Sequence, residues 1–579
     1  MSTSKHFDKI AAVVMVLGLL ITILFMNVEA LGIEKIIDED AEQYETTTGF
    51  TDNDLNGSWD ASDPTATITL NGDSATISGN GAYFNDGSVV ITGAGKYVFS
   101  GALTDGNIVV DAYDSSKVFI LLNGVELTCS DDACLRIDQA DKVFLTLAAG
   151  TENRMESGET YSQTALDDNT GGTIFTHDDL TINGSGSLTI TANYKHGIDA
   201  NDDLVITGGA ITVTAPSDGL HVSDSFRMCA ASLSVAAGDD GVHSDTDIYI
   251  ESGTLLITEC YEGLEALRIE VAGGDITIYP TDDAFNANSG GFGNFGGGPG
   301  DMGGGPTGGS GDGERPERPD GPEEGERPEL PEGFDGELPD FSDGEAPSMP
   351  DMGEMPTPPD GEMPDMSGMP GNGQTTSDDS GSEDEDAYVR ISGGNILIVN
   401  EDAQDADGID SNGSVYITGG MIRVSLNGNG SNNAIDYGSE NGGVAEISGG
   451  SIIACGGSAM AESFDESSTQ PSIAYTGSIA AGSAVTLRDA SGNVLLEWEV
   501  PCSFTYLLIS CPEMTVGGTY TLQMGDTVEE VTLESVVTAL GDSSGMGGFG
   551  GMGGFGGPGG MGGGNHGDPP SGGNGSGNG

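Results

Sequence analysis

His196-Gly-Ile-Asp-Ala200 is followed by Asp218-Gly-Leu-His-Val222, Asp240-Gly-Val-His-Ser244, Glu262-Gly-Leu-Glu-Ala266 and Asp283-Ala-Phe-Asn-Ala287, at intervals of 22, 22, 22 and 21 residues. A unit that recurs at so steady a period, and is too short to bury its own apolar face, has to stack on its neighbours. Gly172-Thr-Ile-Phe-Thr176 is an earlier, weaker copy. Asp407-Gly-Ile-Asp-Ser411 and Asn433-Ala-Ile-Asp-Tyr437 resume the theme, which makes at least eight coils. Between copies run segments such as Leu204-Val-Ile-Thr-Gly-Gly-Ala-Ile-Thr-Val-Thr214 and Val415-Tyr-Ile-Thr-Gly-Gly-Met-Ile-Arg-Val424. They alternate with period two, are rich in β-branched residues, break at glycine and carry no helical stripe. A doubly wound α/β fold is therefore disfavoured, and leucine-rich repeats, which share the period, need another consensus. Three short strands per coil predict an all-β right-handed parallel β-helix, in which each strand pairs with its equivalents one coil above and below.

Around this core the composition changes sharply. Lys5 and Lys9 precede an apolar run from Ile10 to Met26, and Val28-Glu29-Ala30 has the small-x-small form of a cleavage site. Residues 1–30 are thus expected to be a signal peptide or a retained N-terminal anchor, followed by a linker over 31–56; both place the body of the chain outside the membrane. Irregular opening coils are expected over 57–171, where Lys117-Val-Phe-Ile-Leu-Leu122 and Lys142-Val-Phe-Leu-Thr-Leu147 stand 25 residues apart, and regular coils over 172–287. Residues 288–386, rich in Gly, Pro, Met, Asp and Glu, offer too little apolar surface to offset chain entropy and are expected to be a disordered insert. Asp283-Ala-Phe-Asn-Ala287 supplies the first strand of a coil and Tyr388-Val-Arg-Ile391 the second, so the insert interrupts a turn, where closure entropy grows only logarithmically with length. Coils continue over 387–470. A β cap over 471–540 covers the exposed strand edge, and a disordered Gly-rich tail follows over 541–579.

Asp plus Glu number 93 against 17 Lys plus Arg, a formal charge of −76. Nucleic acid and anionic membrane surfaces are repelled by such a chain, so any membrane contact falls to the N-terminal segment. The seven cysteines show no CxxC pair and no framework; Cys502 and Cys511 can bridge only if their stretch folds back on itself. No Gly-x-Ser-x-Gly elbow occurs, and the coils' few cations, Lys195, Arg227, Arg268 and Arg423, form no basic cluster able to grip a polyanionic sugar.

If the third residue of each motif (Ile198, Leu220, Val242, Leu264) points inward, the fourth points out, in the order Asp199, His221, His243, Glu265, Asn286, Asp410 and Asp436. The coil-start column reads His196, Asp218, Asp240, Glu262, Asp283, Asp407 and Asn433. Carboxylates about 4.8 Å apart repel, so they either splay into solvent or hold cations between them. Calcium, which takes oxygen ligands at roughly 2.3–2.6 Å, suits carboxylates one rung apart. His221 and His243 open a second option, an imidazole-binding metal held with Asp218 and Asp240.

The chain resembles the bacterial carbohydrate-binding β-helix proteins of clostridia and their relatives, the carbohydrate-binding domain-containing family. The resemblance runs from Gly57 to Leu533 outside the insert and includes Gly106-Asn-Ile-Val-Val-Asp-Ala112, Val118-Phe-Ile-Leu-Leu-Asn-Gly-Val125, Gly150-Thr-Glu-Asn153, Asp179-Leu-Thr-Ile-Asn-Gly-Ser-Gly-Ser-Leu-Thr-Ile190, the Asp-Gly coil starts and Gly517-Gly-Thr-Tyr-Thr-Leu522. It implies a pectate-lyase-like right-handed β-helix, calcium on acidic residues, and affinity for cellulose or pectic polygalacturonate without established catalysis. The matching acids are Asp218, Asp240, Glu262, Asp283 and Asp407 at coil starts, with Asp199, Glu265, Asp410 and Asp436 beside them. His221 and His243 depart from the acidic pattern. The expectation is a secreted or cell-surface, calcium-dependent polysaccharide-binding protein; a calcium-stiffened adhesive or structural solenoid and a calcium-dependent polysaccharide lyase are the alternatives. Trp59 and Trp498 both lie outside the regular coils, which tells against cellulose.

Overall fold

The computed structural model describes residues 49–288 and 387–541, apart from 57, 58, 114, 402–405 and 430. The expected signal or anchor, most of the expected linker, and all but the first residue of the insert and of the tail lie outside the described residues. Among those described, no helix is long and apolar enough to cross a membrane. The fold is all-β and built of parallel, solenoid-like stacks, with three strands per coil. First strands form one sheet: Gly172–Thr176, His196–Ala200, Leu220–Val222, Val242–Ser244, Leu264–Ala266, Phe285–Ala287 and Asp410–Ser411 pair parallel in that order. The register sets Ile198, Leu220, Val242, Leu264 and Phe285 in one column, each with no exposed surface.

Second strands, from Leu204–Ile206 through Ser225–Met228, Asp247–Ile250 and Arg268–Val271 to Tyr388–Ile391, stack the same way. Third strands, from Ala210–Ala215 to Asn395–Asn400, do likewise. Alternate residues of Ala210–Ala215 are buried and exposed, as a period-two strand with one covered face demands. The turn between second and third strands needs a left-handed residue, supplied by Gly209, Gly253, Gly274, Gly394, Gly420 and Gly450, with φ between 78° and 108°. In the coil of Ala231 that conformation moves back one position, to Ala230 at φ 53°.

Both ends of the stack are closed by antiparallel pairing, which removes the open edges a solenoid otherwise presents. Ala66–Gly72 pairs with Ala75–Gly79, and Ala82–Asn85 with Ser88–Ile91. At the other end Phe504–Ser510 runs antiparallel to Ala445–Gly456 and to Ser472–Ile479. A four-stranded antiparallel sheet follows, with a second apolar cluster of its own that includes Leu487, Leu522 and Leu533. Gly541 ends the last described strand, Val537–Gly541, one residue into the expected tail. Cys502 and Cys511 are buried and unbridged.

Part of the expected linker is instead structural. Asp52–Asn56 forms a short helix lying on the outer face of the second strands. Asp54, 1 % exposed, accepts from Thr181 Oγ1 at 2.6 Å and lies 2.9 Å from Lys142 Nζ, while Thr207 Oγ1 donates to its carbonyl at 2.8 Å. Phe50 packs on Tyr249, ring centroids 6.0 Å apart. Burial alone would raise the Asp54 carboxyl, but hydrogen bonds from Thr181 and Lys142 outweigh it and hold the group below the usual carboxylate range. Composition marked the segment as linker because one buried acid anchors it, not an apolar pattern. Asp54→Ala should lower stability by about 2 kcal/mol in chemical denaturation, less than loss of an isolated buried pair because Asp179 stays 3.5 Å from Lys142. An unchanged denaturation midpoint would show that the strap adds nothing.

Candidate functional site

The insertion seam and the metal-type clusters share one face, that of the first strands and the coil starts preceding them. Coil-start acids do not stand free on it. Asp218 Oδ1 accepts from the Asp240 N–H at 3.4 Å, Asp240 Oδ1 from the Glu262 N–H at 3.4 Å, Asp283 Oδ1 from the Asp407 N–H at 2.6 Å, and Asp407 Oδ1 from the Asn433 N–H at 2.7 Å. Each carboxylate thus binds the backbone of the next coil. Asp199, Asp218 and Asp240 are buried, where the sequence pattern placed their columns facing outward. Asp199 accepts from the Gly171 N–H at 2.9 Å.

Two chemically different groups emerge along this face. The first mixes imidazole with carboxylate. His221 Nδ1 is 2.8 Å from Asp218 Oδ2, and His196 Nδ1 is 3.1 Å from the same oxygen. One coil on, His243 Nδ1 meets Glu265 Oε2 at 2.6 Å and Asp240 Oδ2 at 3.5 Å, and its Nε2 meets Asp245 Oδ1 at 3.1 Å. The three rings stack, with centroids 4.5 Å and 4.9 Å apart. Burial would raise Asp218, but its two imidazole neighbours outweigh that and hold it well below the usual range. Burial likewise opposes charge on His243, yet the carboxylates of Asp240, Asp245 and Glu265 raise its pKa strongly.

The second group has only oxygen donors. Asp407, Asp410 and Asp436 each offer a carboxylate oxygen, all within 4.8 Å of one another. Burial first, and then the neighbouring charges of Asp283 and Asp436, push Asp410 up to about 8; burial and Asp283 raise Asp407 as well. Asn433 is 2 % exposed; its Nδ2 donates to Asp436 Oδ2 at 3.2 Å, and its Oδ1 has no hydrogen-bond partner among the described residues. A buried amide oxygen without a donor, beside three carboxylates that burial discourages from ionising, makes a donor set suited to a hard cation. Glu262, up to about 8 through burial and then Glu265, lies between the two groups and accepts from Asn286 Nδ2 at 2.7 Å.

The sequence columns therefore bring Asp218 to His221, Asp240 and Glu265 to His243, and Asp407 to Asp410 and Asp436, with Asp283 one hydrogen bond away. They do not gather all nine acids into one chain of equivalent sites. His196 and Asn433 stood in the coil-start column without being named as ligands, and the turn acids Asp202, Asp203 and Asp224 escaped the sequence reading altogether. The contact of His196 with the residue one period later was therefore legible in principle. Asp202, Asp203 and Asp224 also cluster, but Asp203 is engaged by Arg227 Nη1 at 2.9 Å and by the Ser225 hydroxyl. Two other coil cations are likewise occupied: Arg268 grips Asp247 at 2.5 and 2.9 Å, and Arg423 donates to Asn395 Oδ1 at 2.9 Å.

The family model described as carbohydrate-binding domain-containing protein matches residues 85–291. A carbohydrate-binding domain-containing protein of Acetivibrio thermocellus is 39% identical over 137 residues, 24% of this chain and 48% of the relative, so the chain spans about half the length of the curated relative it matches. A solved structure described as the polysaccharide lyase-like protein from C. thermocellum, gadolinium derivative, is 32% identical, covering 38% of this chain and 85% of that one, with a TM-score of 0.33.

Proposed function

Because residues 85–291 match the model of the carbohydrate-binding domain-containing family, we propose that the chain is an exported, calcium-dependent carbohydrate-binding protein for an acidic polysaccharide such as polygalacturonate. The coils are read as right-handed, the hand that parallel crossovers adopt in nearly all cases. The observation that carries the proposal is the oxygen-only cluster of Asp407, Asp410 and Asp436 with the unpartnered Asn433 oxygen. These four residues would hold calcium; when bound, it supplies the positive charge that lets a uronate approach a chain of net charge −76. Aromatic stacking on a neutral glucan is less well served. Trp59 lies under Lys96 and Trp498 packs against the cap's apolar cluster, both away from this face.

The test is retention on immobilised polygalacturonate with calcium, then with chelator, then with calcium restored. Retention should disappear and return. Binding indifferent to chelator would overturn the bridging mechanism, and a calcium-raised melting temperature with no uronan or glucan retained would favour the adhesive solenoid instead. Absorbance from unsaturated uronide products would make the chain a lyase.

A further inference from the structure

We propose that His196, Asp218 and His221 form a separate binding site for a divalent transition-metal ion of the zinc class. The donor set differs in kind from the oxygen cluster: two imidazole nitrogens and one carboxylate suit zinc, cobalt or nickel, whereas calcium takes oxygen alone. Position also fits. His196 Nδ1, Asp218 Oδ2 and His221 Nδ1 all lie within 4.8 Å of one another, and the two nitrogens stand 3.1 and 2.8 Å from the carboxylate oxygen. Ligand atoms on a tetrahedral ion at about 2.0–2.1 Å are roughly 3.3 Å apart, so the two nitrogen–oxygen separations need change by only a few tenths of an ångström.

A second observation points the same way. His196 Nδ1 is buried and, despite its nearness to Asp218, makes no hydrogen bond among the described residues. A ring nitrogen left so, facing a carboxylate that already accepts from His221, is a ligand atom with no other engagement among the described residues. His221, with 31% of its side chain exposed, leaves a path for the ion to enter and a fourth coordination position for water. The neighbouring coil does not repeat the site. His243 has both ring nitrogens taken by carboxylates, on Glu265 and Asp245, so it acts as the cation of an ion-pair group rather than a metal ligand.

The experiment uses full-length protein stripped with chelator, returned to millimolar calcium and titrated with cobalt(II). One equivalent should bind, give the intense visible ligand-field absorption of a four-coordinate ion, and be displaced by zinc. His196→Ala and His221→Ala should each weaken binding by at least about 100-fold, while His243→Ala leaves it unchanged; melting curves in calcium check that each variant is folded. No retained cobalt in calcium buffer would overturn the proposal. So would an absorption band that survives in the His196→Ala, His221→Ala double variant, or one that His243→Ala abolishes while His196→Ala does not.

Discussion

In chelator, the melting temperature should fall on the order of 5–10 °C as pH rises from about 5 to about 8, and millimolar calcium should remove that fall. Asp410 and Glu262 are pushed up to about 8 in the folded chain, and Asp407 is raised too, by burial first and then by the neighbouring charges of Asp283 on the two aspartates and of Glu265 on Glu262. Their unfolded values lie near 4. Between those limits the folded chain binds more protons than the unfolded one, so stability is full below about pH 4 and is lost as pH climbs through the folded values. Each pKa unit is worth about 1.4 kcal/mol, but the groups share one field and their contributions do not add. Calcium would replace the protons and so remove the slope. Asp410→Asn separates repulsion from ligation: it should raise the melting temperature in chelator at pH 8 and diminish the gain from calcium. A flat pH profile in chelator, or a variant that keeps the whole calcium effect, would sink the cluster as a cation site.

Gly219→Val should prevent folding, and Gly219→Ala should cost about 1–3 kcal/mol. Coil-start glycines are needed because of closeness rather than a left-handed backbone. A Cβ on Gly219 would sit 2.6 Å from the Gly241 carbonyl oxygen and 2.3 Å from Val235 Cγ1. Gly197 and Gly241 face the same crowding, from the Gly219 and Gly263 carbonyls. Valine's side chain can be housed only by separating two coils, and each coil contributes to its neighbours' stability. Gly93→Ala is the control, since its Cβ would meet nothing within 4 Å. Equal melting temperatures for the Gly219→Ala and Gly93→Ala proteins would refute the packing account.

The solenoid was legible because its information is periodic. Ile198, Leu220 and Val242 announce one column at a spacing of 22, and that spacing is the observed register. Column membership also placed Asp407 near Asn433. What the sequence could not supply was contact across columns. Asp218 and His221 are three residues apart, a separation that puts side chains on opposite faces of a straight strand. They meet because the chain bends at Asp218-Gly219 before the strand Leu220–Val222 begins. The Asp54 strap was hidden for a similar reason: a contact 127 residues from its partner leaves no trace in local composition.

The seam at the insertion has a consequence for how such a chain can change. The Asn288 N–H donates to the Ala266 carbonyl at 3.0 Å and the Tyr388 N–H to the Leu267 carbonyl at 3.3 Å. Two adjoining residues of the coil beneath therefore receive both flanks of the interruption, and the stack reads through as though the intervening residues were absent. Selection can lengthen, trim or exchange that stretch without disturbing the register of a single coil, which frees its sequence to diverge at a pace the stacked coils cannot follow.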